Sequence, residues 1–145
     1  MTKPKYDFSR FKAMVIDDQA FIRRVVAGML RQIGFRAVEE ACDGADGLKL
    51  NNILKPDVII CDIEMEPIDG LAFLQTIRTG KDVPNRNVPV VFLTSHAESE
   101  IVRQARGLHV NSFVVKPPSL AAITDHVAFV LFRQGGHSGE TTPPK

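Results

Sequence analysis

Five short apolar runs, at residues 13–16, 37–38, 58–61, 90–93 and 113–115, alternate with stretches of helical periodicity, and this alternation constrains the fold most. Each run is rich in Val, Ile, Ala or Phe and too short to be a helix, which is how strands buried on both faces of a parallel sheet read. The intervening helical stretches cover roughly residues 20–33, 44–54, 71–79, 98–107 and 120–132, giving about five βα units. In the first, Ile22, Val26, Met29 and Ile33 fall on one stripe, with Arg24 and Arg31 opposite. Gly34 follows as a cap, and Lys55-Pro56 closes the second helix because a residue before proline is pushed out of helical geometry. Right-handed crossovers then require an α/β architecture: a doubly wound, five-stranded parallel sheet with about five helices on both faces. Ligands of such sheets sit at the carboxyl ends of the strands.

A chain of 145 residues, 44 % of them apolar, fits one domain. The expected division is an N-terminal extension over residues 1–10, a folded domain over 11–133 and a disordered tail over 134–145, whose Gly, Pro and polar residues cannot offset their ordering entropy by burial. Residues 1–5 read as frayed, whereas Tyr6, Phe8 and Phe11 can pin the chain that follows to the body. The 18 basic and 17 acidic residues are scattered and leave a formal charge of +1, so no DNA is expected as a partner. The apolar runs are too short to span a bilayer and residues 1–10 lack the apolar middle of a signal peptide, so the expectation is a cytoplasmic protein with no membrane contact. Cys42 and Cys61 have neither CxxC spacing nor a histidine cluster beside them and read as small apolar residues.

The chemistry gathers at the strand ends. Asp17-Asp18 follows the first strand, Asp62 ends the third, Thr94 the fourth and Lys116 the fifth, so all converge on one rim. Carboxylates brought together repel unless a cation sits among them, and an oxygen-only donor set selects a hard ion such as Mg²⁺. A hydroxyl and an ammonium aimed at the same point suit a phosphoryl group. Each residue alone has a plainer reading: Asp17-Asp18 as caps of the first helix, Asp62 as a strand-end carboxylate, Thr94 as a helix cap, Phe113 as core. Lys116 is harder to dismiss, because an ammonium at the edge of a buried strand needs an acidic partner.

Through Val15-Ile16-Asp17-Asp18, Asp62-Ile63-Glu64-Met65 up to Asp69-Gly70, Leu93-Thr94-Ser95 and Phe113-Val114-Val115-Lys116-Pro117, the chain resembles the receiver domains of two-component response regulators, over roughly residues 11–132. The resemblance implies the flavodoxin-like receiver fold. It implies that Asp62 is the phosphoacceptor and that Asp18, Asp62 and the backbone carbonyl of Glu64 are Mg²⁺ ligands, with Asp17 acting through water. It further implies that Thr94 and Lys116 bind the phosphoryl group, that Phe113 is the aromatic reporting the state of the site, and that Pro117 follows a cis peptide. The partners implied are a histidine kinase or histidine phosphotransfer protein and a downstream protein target, and self-phosphorylation and self-dephosphorylation are the only reactions.

The sequence departs from the family pattern where Glu66 separates Met65 from Pro67. Glu64 and His96 occupy positions that in the family modulate attack of water on the phosphoryl group. Two other functions compete. A Mg²⁺-dependent phosphohydrolase also uses a strand-end aspartyl nucleophile with an acid/base two residues on, the spacing of Glu64, but its nucleophile lies on the first strand. The chain also fits a receiver fragment of a longer regulator with an output domain. Finally, Phe129 and Phe132 fall opposite the inner stripe Leu120, Ile123, Val127 and Leu131 of the last helix, so an outward apolar patch is expected there, serving a partner or a homodimer through that helix.

Overall fold

A computed structural model describes residues 6–96, 100–107 and 112–132. The elements alternate strictly: β1 (Lys12–Ile16), α1 (Ala20–Gln32), β2 (Ala37–Ala41), α2 (Gly44–Leu54), β3 (Val58–Asp62), α3 (Gly70–Thr79), β4 (Val90–Thr94), α4 (Glu100–Arg106), β5 (Ser112–Val115) and α5 (Leu120–Phe132). The strands form one parallel sheet in the order β2-β1-β3-β4-β5, with Ile16 beside Cys61, Asp62 beside Leu93 and Thr94 beside Val115. This is the doubly wound five-stranded architecture that the alternation predicts.

Strand residues alternate between two cores. Ala13, Val15, Ile60, Leu93 and Val114 pack with Val26 and Leu30 of α1 and Ile123 and Val127 of α5. Met14, Ile16, Ile59, Cys61 and Phe92 pack with Phe73, Leu74 and Ile77 of α3 and Val102 and Ala105 of α4. Each fully buried Ile, Leu or Phe contributes about 1.5–3 kcal/mol through apolar burial, and both layers hold the strand ends at a common level. The helix ends follow local chemistry. Asp43 and Asp69 accept hydrogen bonds from Asp46 N and Ala72 N at 2.8 Å, capping α2 and α3. Gly34 takes a left-handed φ of 106° after α1, and Lys55, at φ 47°, ends α2 ahead of Pro56.

Several expectations are corrected. β2 runs on to Ala41, past Glu39 and Glu40; it is an edge strand, so these carboxylates need no core partner. Cys42 is exposed, while Cys61 is buried. Phe8 pins the chain as expected, being 2 % exposed and stacked on Phe35 at 4.9 Å, but this puts the start of the folded body before residue 11. The outward patch of Phe129 and Phe132 is only partly open: Phe129 packs against the core, and the Phe132 ring lies 5.5–5.6 Å from those of Tyr6, Phe8 and Phe11. The N-terminal aromatics supply the apolar surface that solvent would deny, and Phe132 retains 39 % exposure. The tail over 134–145, the fraying expected of residues 1–5 and the start of the fourth helical stretch at 98–99 lie outside the described residues.

Candidate functional site

The carboxyl ends of β3 and β4 deliver their last side chains, Asp62 and Thr94, to the rim where β1 and β5 deliver the next ones, Asp17 and Lys116. Asp17 extends β1 by one bond, its N–H donating to Ala41 O at 3.2 Å. Lys116 is set beside β4 by its own N–H, which donates to Thr94 O at 2.8 Å. The β3–α3 loop turns tightly against Asp62: a Cβ on Gly70 would stand 2.7 Å from Ile63 Cα and 2.8 Å from Asp62 O, so only glycine fits there.

Asp17, Asp18 and Asp62 present carboxylate oxygens within 4.8 Å of one another. Asp17 and Asp62 are buried and Asp18 lies exposed at the edge. The Lys116 ammonium, with its side chain 10 % exposed, lies 3.2 Å from Asp17 Oδ2 and 3.2 Å from Asp62 Oδ1, and donates to Gln19 Oε1 at 3.1 Å. Burial pushes the Asp62 carboxyl from its ordinary 3.8 up to about 6; the neighbouring Asp17 charge adds to the rise and Lys116 opposes it. Asp17 Oδ1 accepts from Gln19 N at 2.8 Å, but its Oδ2 is buried without a hydrogen bond, 3.2 Å from the ammonium. One lysine thus serves two buried carboxylates, and Asp17 keeps an unused acceptor aimed into the cluster. Three carboxylates, no sulfur or imidazole among them, and an orphaned buried oxygen suit a small hard cation.

A cleft of about 350 Å³ opens on this cluster, lined by Asp18, Gln19, Asp62, Glu64, Ser95, His96 and Lys116. Glu64 N donates to Asp62 Oδ1 at 3.3 Å, while its side chain turns outward to His96, with Nδ1 3.5 Å from Oε1. Thr94 is buried, and its hydroxyl accepts from His96 N at 3.0 Å. Phe113 is partly buried, 5.9 Å from the Phe92 ring and with the Arg106 guanidinium 5.4 Å over its face. The Lys116-Pro117 peptide is cis, and so is Glu66-Pro67, which the sequence reading did not foresee.

The strand-end residues read from the sequence therefore meet, with Glu64 and His96 at the mouth, while Phe113 does not line the cleft and packs on Phe92. Phe129 and Phe132 do not belong to the site; Phe132 packs on Phe11, which precedes β1, at the opposite end of the sheet. Two contributors went unnoticed. Gln19 holds Lys116, and Arg23 donates from Nη1 to Asp17 O at 2.9 Å and from Nε to Glu40 Oε1 at 3.1 Å. A polar residue at a helix start and one arginine of an Arg-Arg pair carry no distinguishing signal in the sequence.

The family model for the response regulator receiver domain matches residues 13–128. The chain is 30 % identical over 122 residues to the transcriptional regulatory protein PdtaR of Mycobacterium tuberculosis, a match covering 84 % of this chain and 57 % of that protein. The chain thus spans little more than half the length of that relative. It is also 30 % identical over 108 residues to the probable chemotaxis protein CheY of Rhizobium etli, covering 74 % of this chain and 82 % of that one. Among solved structures, chemotaxis protein CheY4 of Vibrio cholerae superposes with a TM-score of 0.71 at 26 % identity, covering 85 % and 97 % of the two chains. The receiver domain of NtrX from Brucella abortus does so with a TM-score of 0.75 at 27 % identity, covering 84 % and 99 %. Matched across most of its length and carrying the acidic cluster at its strand ends, the chain belongs to the response-regulator receiver domain family of two-component signalling.

Proposed function

We propose that this chain is a phosphorylation switch in which Asp62 accepts a phosphoryl group from a phosphohistidine on a histidine kinase or histidine phosphotransfer protein. The observation that carries the reading is the pairing of a buried carboxylate, Asp62, with Lys116 and two further carboxylates on one rim. With its carboxyl at about 6, Asp62 is mostly ionised at neutral pH and can act as a nucleophile. A bond forms from an Asp62 oxygen to phosphorus as the histidine N–P bond breaks, and the imidazole leaves with a proton from solvent. Mg²⁺, when bound, supplies the charge that offsets the phosphoryl oxygens. Asp17, Asp18, Asp62 and the Glu64 carbonyl are the groups that would hold it. Lys116 pairs with a phosphoryl oxygen, and the Thr94 hydroxyl leaves His96 N to donate to another. Phe113 repacks as Thr94 moves, altering the surface offered to a downstream protein.

No described helix is long and apolar enough to cross a membrane, and a cytoplasmic setting is part of the proposal. The rival phosphohydrolase reading needs Glu64 as an acid/base, yet that carboxylate is turned toward His96. Incubation with acetyl phosphate tests the two: the switch gains the mass of one phosphoryl group only with Mg²⁺, while sustained hydrolysis of small phosphate esters would support the rival.

A further inference from the structure

Among the described residues, Arg23 is the guanidinium that reaches the backbone of the acidic cluster. Its Nη1 donates to Asp17 O at 2.9 Å, its Nε donates to Glu40 Oε1 at 3.1 Å, and its side chain is 15 % exposed. Glu40 stands on β2 beside Val15, and its other oxygen lies 3.7 Å from Arg31 Nη2. A chain of contacts thus runs from the edge strand through Arg23 to the turn between β1 and α1.

The carbonyl of Asp17 and the N–H of Asp18 belong to one rigid peptide plane. Anchoring that carbonyl fixes the rotation of the plane, and with it the directions in which the Asp17 and Asp18 side chains leave the backbone. Successive residues of an extended chain point to opposite sides, yet here both carboxylates come within 4.8 Å of a common partner, Asp62. Something must hold the turn in that shape; Gln19 N on Asp17 Oδ1 secures the side chain, and Arg23 secures the peptide.

We infer that Arg23, oriented by Glu40, is a positioning residue that sets the spacing of the Asp17 and Asp18 carboxylates and thereby the affinity of the cluster for a divalent cation. The inference rests on the reading of that cluster as a Mg²⁺ site. The two bonds leave from different nitrogens of one rigid guanidinium, a spread that the single nitrogen of a lysine does not reproduce. The geometry also opposes the naive electrostatic expectation, in which deleting a positive charge near the cluster tightens cation binding.

The test is calorimetric Mg²⁺ titration of the full chain as parent, Arg23→Lys, Arg23→Gln and Glu40→Gln, with amide NMR shifts of Asp17, Asp18 and Gln19 recorded without metal. Both Arg23 variants should bind Mg²⁺ about tenfold more weakly or worse, as losses of groups that orient metal ligands do. Glu40→Gln, which keeps the guanidinium but loosens it, should fall between them and the parent. The three metal-free amide shifts should move in every variant while the rest of the spectrum stays that of the folded parent. Parent-like affinity in Arg23→Lys, or tighter binding in Arg23→Gln, would show that only charge matters and overturn the inference while leaving the Mg²⁺ reading intact. A parent that binds no Mg²⁺ would overturn both.

Discussion

Lys116 Nζ lies 3.2 Å from Asp62 Oδ1, and the same ammonium lies 3.2 Å from the orphaned oxygen of Asp17. A lysine divided between two carboxylates is free to follow whichever gains negative charge. Lys116→Ala and Thr94→Ala should therefore still take up some phosphate at Asp62 yet fail to transmit it, since both act by drawing on the phosphoryl oxygens. The measurement is the shift of Phe113 resonances on phosphorylation. It should be small in both variants; a shift in Thr94→Ala as large as in the parent would contradict the coupling.

The raised Asp62 carboxyl has a consequence for stability. Its folded value of about 6 exceeds its ordinary 3.8, so the native state holds the proton more tightly than the unfolded chain, and ionising Asp62 costs stability as pH rises through 6. Metal-free Asp62→Asn should be more stable than the parent by about 1–3 kcal/mol at pH 7.5 and lose that advantage as pH falls from 6 toward 4. Urea unfolding in the presence of a chelator at several pH values checks this. An advantage independent of pH would mean that Asp62 titrates normally.

At the other end of the sheet, Phe132 is held by Tyr6, Phe8 and Phe11. Phe132→Asp should thus destabilise the fold, by about 1–3 kcal/mol given its partial exposure, rather than merely abolish an association. Denaturant midpoints alongside light scattering check it. An unchanged midpoint with lost self-association would restore the interface expected from the sequence.

That example shows where legibility stopped. Strand and helix periodicities, and the types of residue at the strand ends, are local properties, so the sheet, its five helices and the meeting of Asp17, Asp18, Asp62, Thr94 and Lys116 could be read directly. The short reading of β2 arose because Glu39 and Glu40 interrupt the apolar pattern on an edge strand, where solvent and Arg23 satisfy them. Phe132 looked outward because helical spacing cannot reveal an aromatic segment over a hundred residues away in sequence. Arg23 escaped for the same reason: its role depends on a backbone carbonyl and a strand neighbour, which residue type does not encode.

His96 and Glu64 face each other across the mouth of the cleft at 3.5 Å, both well exposed. An exposed pair of this kind contributes about 0–1 kcal/mol, so His96→Ala and Glu64→Ala should leave stability nearly unchanged. Opening the mouth should admit water to the phosphorylated site and shorten its half-life. Decay of the phosphorylated mass after the donor is removed measures this, and parent-like half-lives in both variants would make the pair a surface contact only.

Phosphorylation at Asp62 is read out by intact-mass spectrometry of the parent and Asp62→Asn after identical incubation with acetyl phosphate and Mg²⁺. One added phosphoryl group is expected on the parent, none when a chelator is present, and none on Asp62→Asn under any condition. Equal rates of mass gain in the two proteins would contradict it.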